Sequence, residues 1–187
     1  MVKSNCRAGS AFSWAKILAT ILACCCFVSC IDQKLYLRNV QNPGVLDIDG
    51  VYLSETNKED QREYTCSVIL LYHNSVMLRG LVFKSDLKNN FEGTIDRFAN
   101  LMKDSKTGFG VYDISNGEIY MEFWYPSAGG PLKTTISRGE IIDNKNFTIT
   151  YAKSNYGGRE RTVDEPYKFY PLKHKPDSTN RFIRIKK

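Results

Sequence analysis

The chain has 187 residues, with 26 basic against 20 acidic side chains, a net charge of +6 and 42% hydrophobic residues. That length and balance suit one domain with a real core. The basic excess is small and is not interleaved with stacking aromatics, which argues against a nucleic-acid partner.

Lys3, Arg7 and Lys16 come first, followed by the run Ile17 to Cys30, ILATILACCCFVSC. Basic residues, a short apolar core and a small residue before a cysteine follow the order of a secretory leader. The uncharged stretch between Lys16 and Cys30 is 13 residues, short of the ~20 that a helix needs to span a bilayer. The ending Phe27-Val28-Ser29-Cys30 resembles a bacterial lipobox, which implies cleavage before Cys30 and lipid attachment to it. Ile21-Leu22-Ala23-Cys24 fits the same pattern behind only seven apolar residues, so Cys30 is preferred. Two or more acyl chains anchor a protein stably where one does not. Ile31, and not an aspartate, follows the cysteine, which by the same resemblance implies the outer membrane, on its periplasmic face. The expected division is a leader over 1–29, a lipidated N-terminus and tether over 30–48, and a folded domain over 49–187. Losing the leader removes three basic residues and no acids, leaving a net charge of +3. Five of the six cysteines lie at or before Cys30. Cys66 is then alone in the domain without a disulfide partner, and it reads as a small buried hydrophobe.

Asp49-Gly50-Val51-Tyr52-Leu53 predicts the first strand. Arg62–Tyr72 and Val76–Phe83, joined by His73-Asn74-Ser75, predict a hairpin. Both faces of that hairpin are apolar, so something is expected to cover its outer side. Phe91, Ile95, Phe98, Leu101 and Met102 recur at intervals of three and four, which predicts one amphipathic helix over about 91–104. Phe109–Ile114 and Glu118–Tyr125 flank Asn116-Gly117, the favoured type I′ hairpin turn. In the second of these strands Ile119, Met121, Phe123 and Tyr125 share the core face. Further strands are predicted over Leu132–Ile142, with a register shift at Gly139, and over Asn146–Ala152, with Phe147, Ile149 and Tyr151 inward. Arg159–Tyr170 follows, with Pro166 marking an edge or bend, and then a short piece over Arg181–Ile185. Short strands joined by short turns make a mainly β, antiparallel up-and-down meander with one inserted helix. Closing it into a barrel removes the exposed edges; a two-sheet β-sandwich is the alternative.

The run GFGVYDISNGEIYMEFWYPSAGGPLK, continued by GEIIDNKNFTIT and KPDSTNRFI, resembles lipocalin-like lipoproteins of Gram-negative bacteria. The shared positions are Gly110, Tyr112, Ile114, Gly117 and Ile119. The resemblance implies a lipocalin-like barrel and an envelope location, and its motifs encode turns and core rather than chemistry.

The chain has no phosphate-binding Gly-x-x-x-x-Gly-Lys, no Gly-x-Ser-x-Gly and no His-Glu-x-x-His. Its two histidines, His73 and His174, are a hundred residues apart, and Glu63 and Glu122 read as solvated carboxylates on outer strand faces. No enzyme activity, metal or cofactor is therefore expected. The basic tail, Arg181, Arg184, Lys186 and Lys187, reads as a solvated end. The remaining lead is aromatic: Phe123, Tyr125, Phe147, Tyr151, Tyr167 and Phe169 are candidates to line a pocket for a small apolar or amphipathic ligand. The alternative is a fully packed barrel acting as an interaction or structural component of the envelope. The expected partners are a membrane, through the N-terminal lipid, and a small hydrophobic ligand; no protein partner is legible.

Overall fold

In the computed structural model, alternating inward and outward side chains build eight antiparallel strands. They are β1 (Gly50–Ser54), β2 (Thr65–Leu71), β3 (Val76–Phe83), β4 (Phe109–Ser115), β5 (Glu118–Tyr125), β6 (Lys133–Asp143), β7 (Asn146–Ser154) and β8 (Glu160–Pro171). Each pairs with the next, and β1 pairs back onto β8 through Val51 with Tyr170 and Tyr52 with Phe169, so the meander closes into a barrel. Closure excludes the sandwich. It also leaves no edge strand for Pro166, which sits inside β8 opposite Thr148. The structure describes residues 32, 34–35, 45–54, 64–126 and 131–183. The leader and Cys30 lie outside them.

The turns follow local chemistry. Asn116 and Gly117 adopt φ values of 54° and 77°, the left-handed pair that a type I′ turn requires. At the β6–β7 turn the Asp143 carboxylate accepts the main-chain N–H of Lys145 at 2.7 Å. These hydrogen bonds hold Asp143 below the usual carboxylate pKa range, the Asn146 side-chain amide contributing most.

Between β3 and β4 lie two helices, α1 (Lys84–Asn89) and α2 (Phe91–Met102). The predicted helix is α2. The preceding α1 has a single large apolar residue, Leu87, and therefore no periodic signal. Ile95, Phe98 and Ala99 of α2 press onto the outer face of β1–β3, against Val68, Leu70, Val76 and Leu78. Gly80 makes room for this contact: a Cβ there would lie 2.7 Å from Phe98 Cζ. Past β8 the chain runs over the same outer cluster, adding Leu172, Phe182 and Ile183. Residues 181–183 form no strand, unlike the expectation for Arg181–Ile185, and 184–185 lie outside the described residues. The doubly apolar β2–β3 hairpin is thus covered on both sides, and Cys66 is 1% exposed among these residues, outside any disulfide, with its thiol donating to the Ser54 carbonyl at 3.4 Å.

The lumen holds a second core. At the end where β1 begins, Tyr52, Phe147, Tyr167 and Phe169 pack ring on ring at centroid distances of 5.0 to 5.3 Å. Leu46 and Ile48, which fall in the expected tether, pack against this cluster, and the Tyr52 hydroxyl donates to the carbonyls of Asp47 and Asn144. Burial raises the Tyr52 phenol well above its ordinary pKa. This end of the barrel is closed.

The strap that follows β8 is tied to the closed end by a partly buried lysine. Lys175 donates to the carbonyls of Ile48 and Leu71, and its ammonium sits 4.5 Å over the Tyr72 ring. Burial brings its pKa down to about 8, with Asp49 pulling weakly the other way. An unfolded lysine binds its proton up to about pH 10.4, so between pH 8 and 10 the unfolded state holds more protons. Stability is therefore expected to rise across that window, by about 1–2 kcal/mol. Lys175→Met should show a flat profile there in denaturant midpoints. The buried tyrosines act in the opposite direction only above about pH 10, where they begin to ionise in the unfolded chain.

Candidate functional site

The opposite end of the barrel is open. The inward positions there carry Ser67 on β2, Thr135 and Ser137 on β6, and Ala152 and Ser154 on β7, where the closed end carries tyrosine, phenylalanine and methionine. Small residues facing one another across a barrel leave a void, here a cavity of about 840 Å³. Phe123, Tyr125, Ile149, Val163 and Leu81 supply its apolar wall.

The floor is polar. Arg79 on β3 reaches across the lumen to Glu165 on β8, Nη2 to Oε2 at 2.9 Å, with side chains 20% and 17% exposed. The Tyr167 hydroxyl donates to the other Glu165 oxygen at 2.9 Å and lies 2.8 Å from Ser67 Oγ. The guanidinium also lies 5.1 Å from the Phe123 ring centroid, in cation–π range. Burial works against the Arg79 charge, but Tyr167 and Glu165 more than offset it, and its pKa is raised. Burial also pushes the Tyr167 phenol well above its ordinary value, against the pull of Arg79. At neutral pH the floor is therefore an ion pair capped by a neutral phenol, with every charged oxygen engaged.

The rim is basic. Lys153 and Glu160 pair at 2.6 Å, and their hydrogen bond raises the lysine pKa and lowers that of the glutamate. Arg159 and Arg161 also line the mouth, and neither forms an ion pair among the described residues. The Tyr125 hydroxyl and Ser154 Oγ lie 2.9 Å apart, tying wall to rim.

Of the six aromatic residues expected at a pocket, Phe123 and Tyr125 line the cavity. Phe147 and Phe169 belong to the packed closed half, and Tyr167 stands between the two, with its ring in the core and its hydroxyl in the floor. Tyr151 points outward and not inward. Thr150 is an extra residue in β7 opposite the Arg138–Gly139 step, so the alternation reverses after Ile149 and Tyr151 comes to lie beside Arg138, whose guanidinium is 5.5 Å from its ring centroid. The register shift expected at Gly139 is the cause.

Arg79 and Glu165 carry no sequence signal of their own, being 86 residues apart and on strands that are not neighbours. The small inward residues Thr135, Ser137 and Gly139 are legible in hindsight, because a filled barrel needs bulk at alternate positions. Glu122 is not solvated as expected: it is fully buried on the outer face and accepts a hydrogen bond from Asn155 at 2.9 Å. Glu63, read in the same way, lies outside the described residues. His73 and His174 are both exposed. Among the described residues no three metal-ligating side chains gather.

None of the family models, curated proteins or solved structures compared with the chain matches it. The closed eight-stranded antiparallel meander with a helical insertion is nonetheless consistent with a lipocalin-like fold.

Proposed function

We propose that this protein is a lipid-anchored component of the bacterial envelope whose barrel binds a small amphipathic ligand. The observation that carries the reading is the cavity itself. At about 840 Å³ it falls in the range of small-molecule sites, roughly 300–1,000 Å³, and like them it joins an apolar wall to a few placed polar groups. A fully packed barrel describes the closed half alone. The anchor is supported by the leader pattern ending at Cys30, and the outer-membrane address rests on Ile31 following it. The polar floor and basic rim favour a ligand with polar groups at its ends and an apolar body between them.

Filling the void tests the reading. Ala152 is 6% exposed and faces the cavity, so Ala152→Trp places a large side chain in space that is otherwise empty. Titration with N-phenyl-naphthylamine, a neutral fluorescent hydrophobe, should give saturable binding to the natural chain. In the variant, affinity should fall at least about tenfold, equivalent to 1.4 kcal/mol, with thermal stability largely retained. Native mass spectrometry with organic extraction should also release a bound molecule. A barrel that is empty on extraction and ignores both fatty acids and neutral hydrophobes would overturn the proposal.

A further inference from the structure

We infer that the open end of the barrel is a membrane-docking face, so that the cavity opens directly onto an anionic lipid surface. The inference rests on the anchor proposed above and adds to it an orientation.

The first support is where the chain enters. Asp32 is fixed to the barrel by two contacts: Lys106 Nζ donates to Oδ2 at 2.8 Å, and the Leu132 N–H donates to Oδ1 at 2.9 Å. Lys106 precedes β4 and Leu132 precedes β6, and both strands start at the open end. Cys30 is two residues before Asp32, and two residues span at most about 7 Å. A lipid on Cys30 must therefore enter the bilayer beside the mouth, whatever path the intervening residue takes.

The second support is the distribution of exposed apolar surface. Seven large hydrophobic residues are exposed among the described residues, and four of them stand at this end: Tyr64, Leu81, Phe83 and Tyr156. Tyr64, Leu81 and Phe83 sit together where β2 begins and β3 ends, at 71%, 61% and 59% exposure. Leu81 also lines the cavity, so the apolar strip is continuous from lumen to rim. Exposed aromatic residues of this kind favour the headgroup region of a bilayer.

The third support is charge. Arg159 and Arg161 face the mouth without acidic partners among the described residues. The described residues that follow the strap also reach this end. Arg181 donates to the Asp104 carbonyl, and Phe182 lies 6.2 Å from Phe109 at the start of β4. The sequence then continues into Arg184, Lys186 and Lys187. Basic residues close to an anionic membrane surface are attracted to it. The sequence between β1 and β2 brings four acids and two bases, so the attraction is local to the β8 rim and Arg181 rather than a property of the whole end.

Two reporter positions at opposite ends test the orientation. The full chain, expressed with its leader in a host that processes bacterial lipoproteins, is reconstituted into vesicles of phosphatidylethanolamine and phosphatidylglycerol with brominated acyl chains. Trp14→Phe is made first, leaving Trp124 as a constant baseline. Phe83→Trp reports on the mouth and Ile142→Trp, at an exposed β6–β7 position, on the closed end. The bromolipid should remove about half of the fluorescence added at position 83, as for an interfacial tryptophan, and leave that at 142 unchanged. Leu81→Asp in the Phe83→Trp chain should reduce the quenching, and replacing phosphatidylglycerol by phosphatidylcholine should weaken it. Quenching at 142, or at neither position in vesicle-bound protein, overturns the docking face. So does protection of position 83 through crosslinking to another protein. A chain that does not float with vesicles overturns anchor and docking together. Native mass spectrometry of the same sample in detergent reads the cavity's ligand independently, so either failure leaves that result interpretable.

Discussion

Replacing Arg79 by alanine is expected to destabilise the barrel by about 3 kcal/mol, near the lower end of the cost of breaking a buried ion pair. The guanidinium and the Glu165 carboxylate meet at 2.9 Å with about a fifth of each side chain exposed. Without Arg79 the carboxylate keeps, among the described residues, only the Tyr167 hydroxyl as a donor and faces an apolar wall. The lower end is chosen because water can enter the cavity and partly solvate the charge left behind. For a domain of this size the loss corresponds to roughly 6–12 °C in Tm. Converting both partners to apolar residues, Arg79→Met with Glu165→Leu, should cost far less than Arg79→Ala alone, because the double change removes the unpaired charge along with the pair. A double-mutant cycle in denaturant midpoints, with unchanged m values, measures the coupling. A loss under about 1 kcal/mol for Arg79→Ala would place the pair in the class of solvated surface contacts. The floor would then be a wet opening and not a built site.

That pair also marks the limit of what the sequence discloses. Period-two alternation is a local property, and where it is unbroken it reads correctly: Ile119, Met121, Phe123 and Tyr125 face the lumen, as their spacing predicts. The same holds for Asn116-Gly117 and for the three-and-four spacing of Ile95 and Phe98. Two apolar faces on β2 and β3 foretell the cover supplied by α2 and the tail. The alternation fails at Tyr151, because one extra residue, Thr150, reverses every side chain after it; Gly139 marks the shift on β6 but does not tell which residue of β7 bulges. It is also silent on α1, whose only large apolar residue is Leu87. The cavity is a matter of volume across the lumen. Its cause is that Ser67 on β2 faces the neighbouring pair Ser137 and Ala152 across the lumen, a coincidence that only closure of β1 onto β8 creates. Aromatic content therefore located the wall residues Phe123 and Tyr125 together with core residues of the closed half, since both groups are inward and large. The polar floor was invisible for a further reason. An arginine or glutamate at an inward position looks like an interruption of the pattern until its partner, three strands away one way round the sheet and five the other, is seen across the barrel.

Gly110 shows how a residue with no side chain can set the shape of the same cavity. It lies inward on β4, paired with Phe123 of β5. A Cβ there would meet the Glu122 carbonyl oxygen and stand 2.6 Å from Phe123 Cβ. Neither atom can rotate away, so alanine at this position must push β4 and β5 apart. Gly110→Ala is expected to cost about 3 kcal/mol, the upper range for overpacking a well-filled site, and Gly110→Val more. Gly117→Ala is the control. Nothing lies within 4 Å of its missing Cβ, so its penalty is only that of a positive φ, about 1 kcal/mol. The two substitutions should also separate in a second measurement. Displacing β5 moves Phe123, which carries the cavity wall and stacks against Arg79, so Gly110→Ala should weaken N-phenyl-naphthylamine binding in chains that remain folded. Gly117→Ala, at the far turn, should leave the titration unchanged. Equal stability for Gly110→Ala and the natural chain would mean that β4 and β5 can separate freely, and Phe123 would then not be a fixed wall. The Gly-x-Tyr-x-Ile pattern at Gly110, Tyr112 and Ile114 thus reads as a packing rule. Its glycine admits a neighbouring strand, and its tyrosine and isoleucine fill the lumen below the space that this approach holds open.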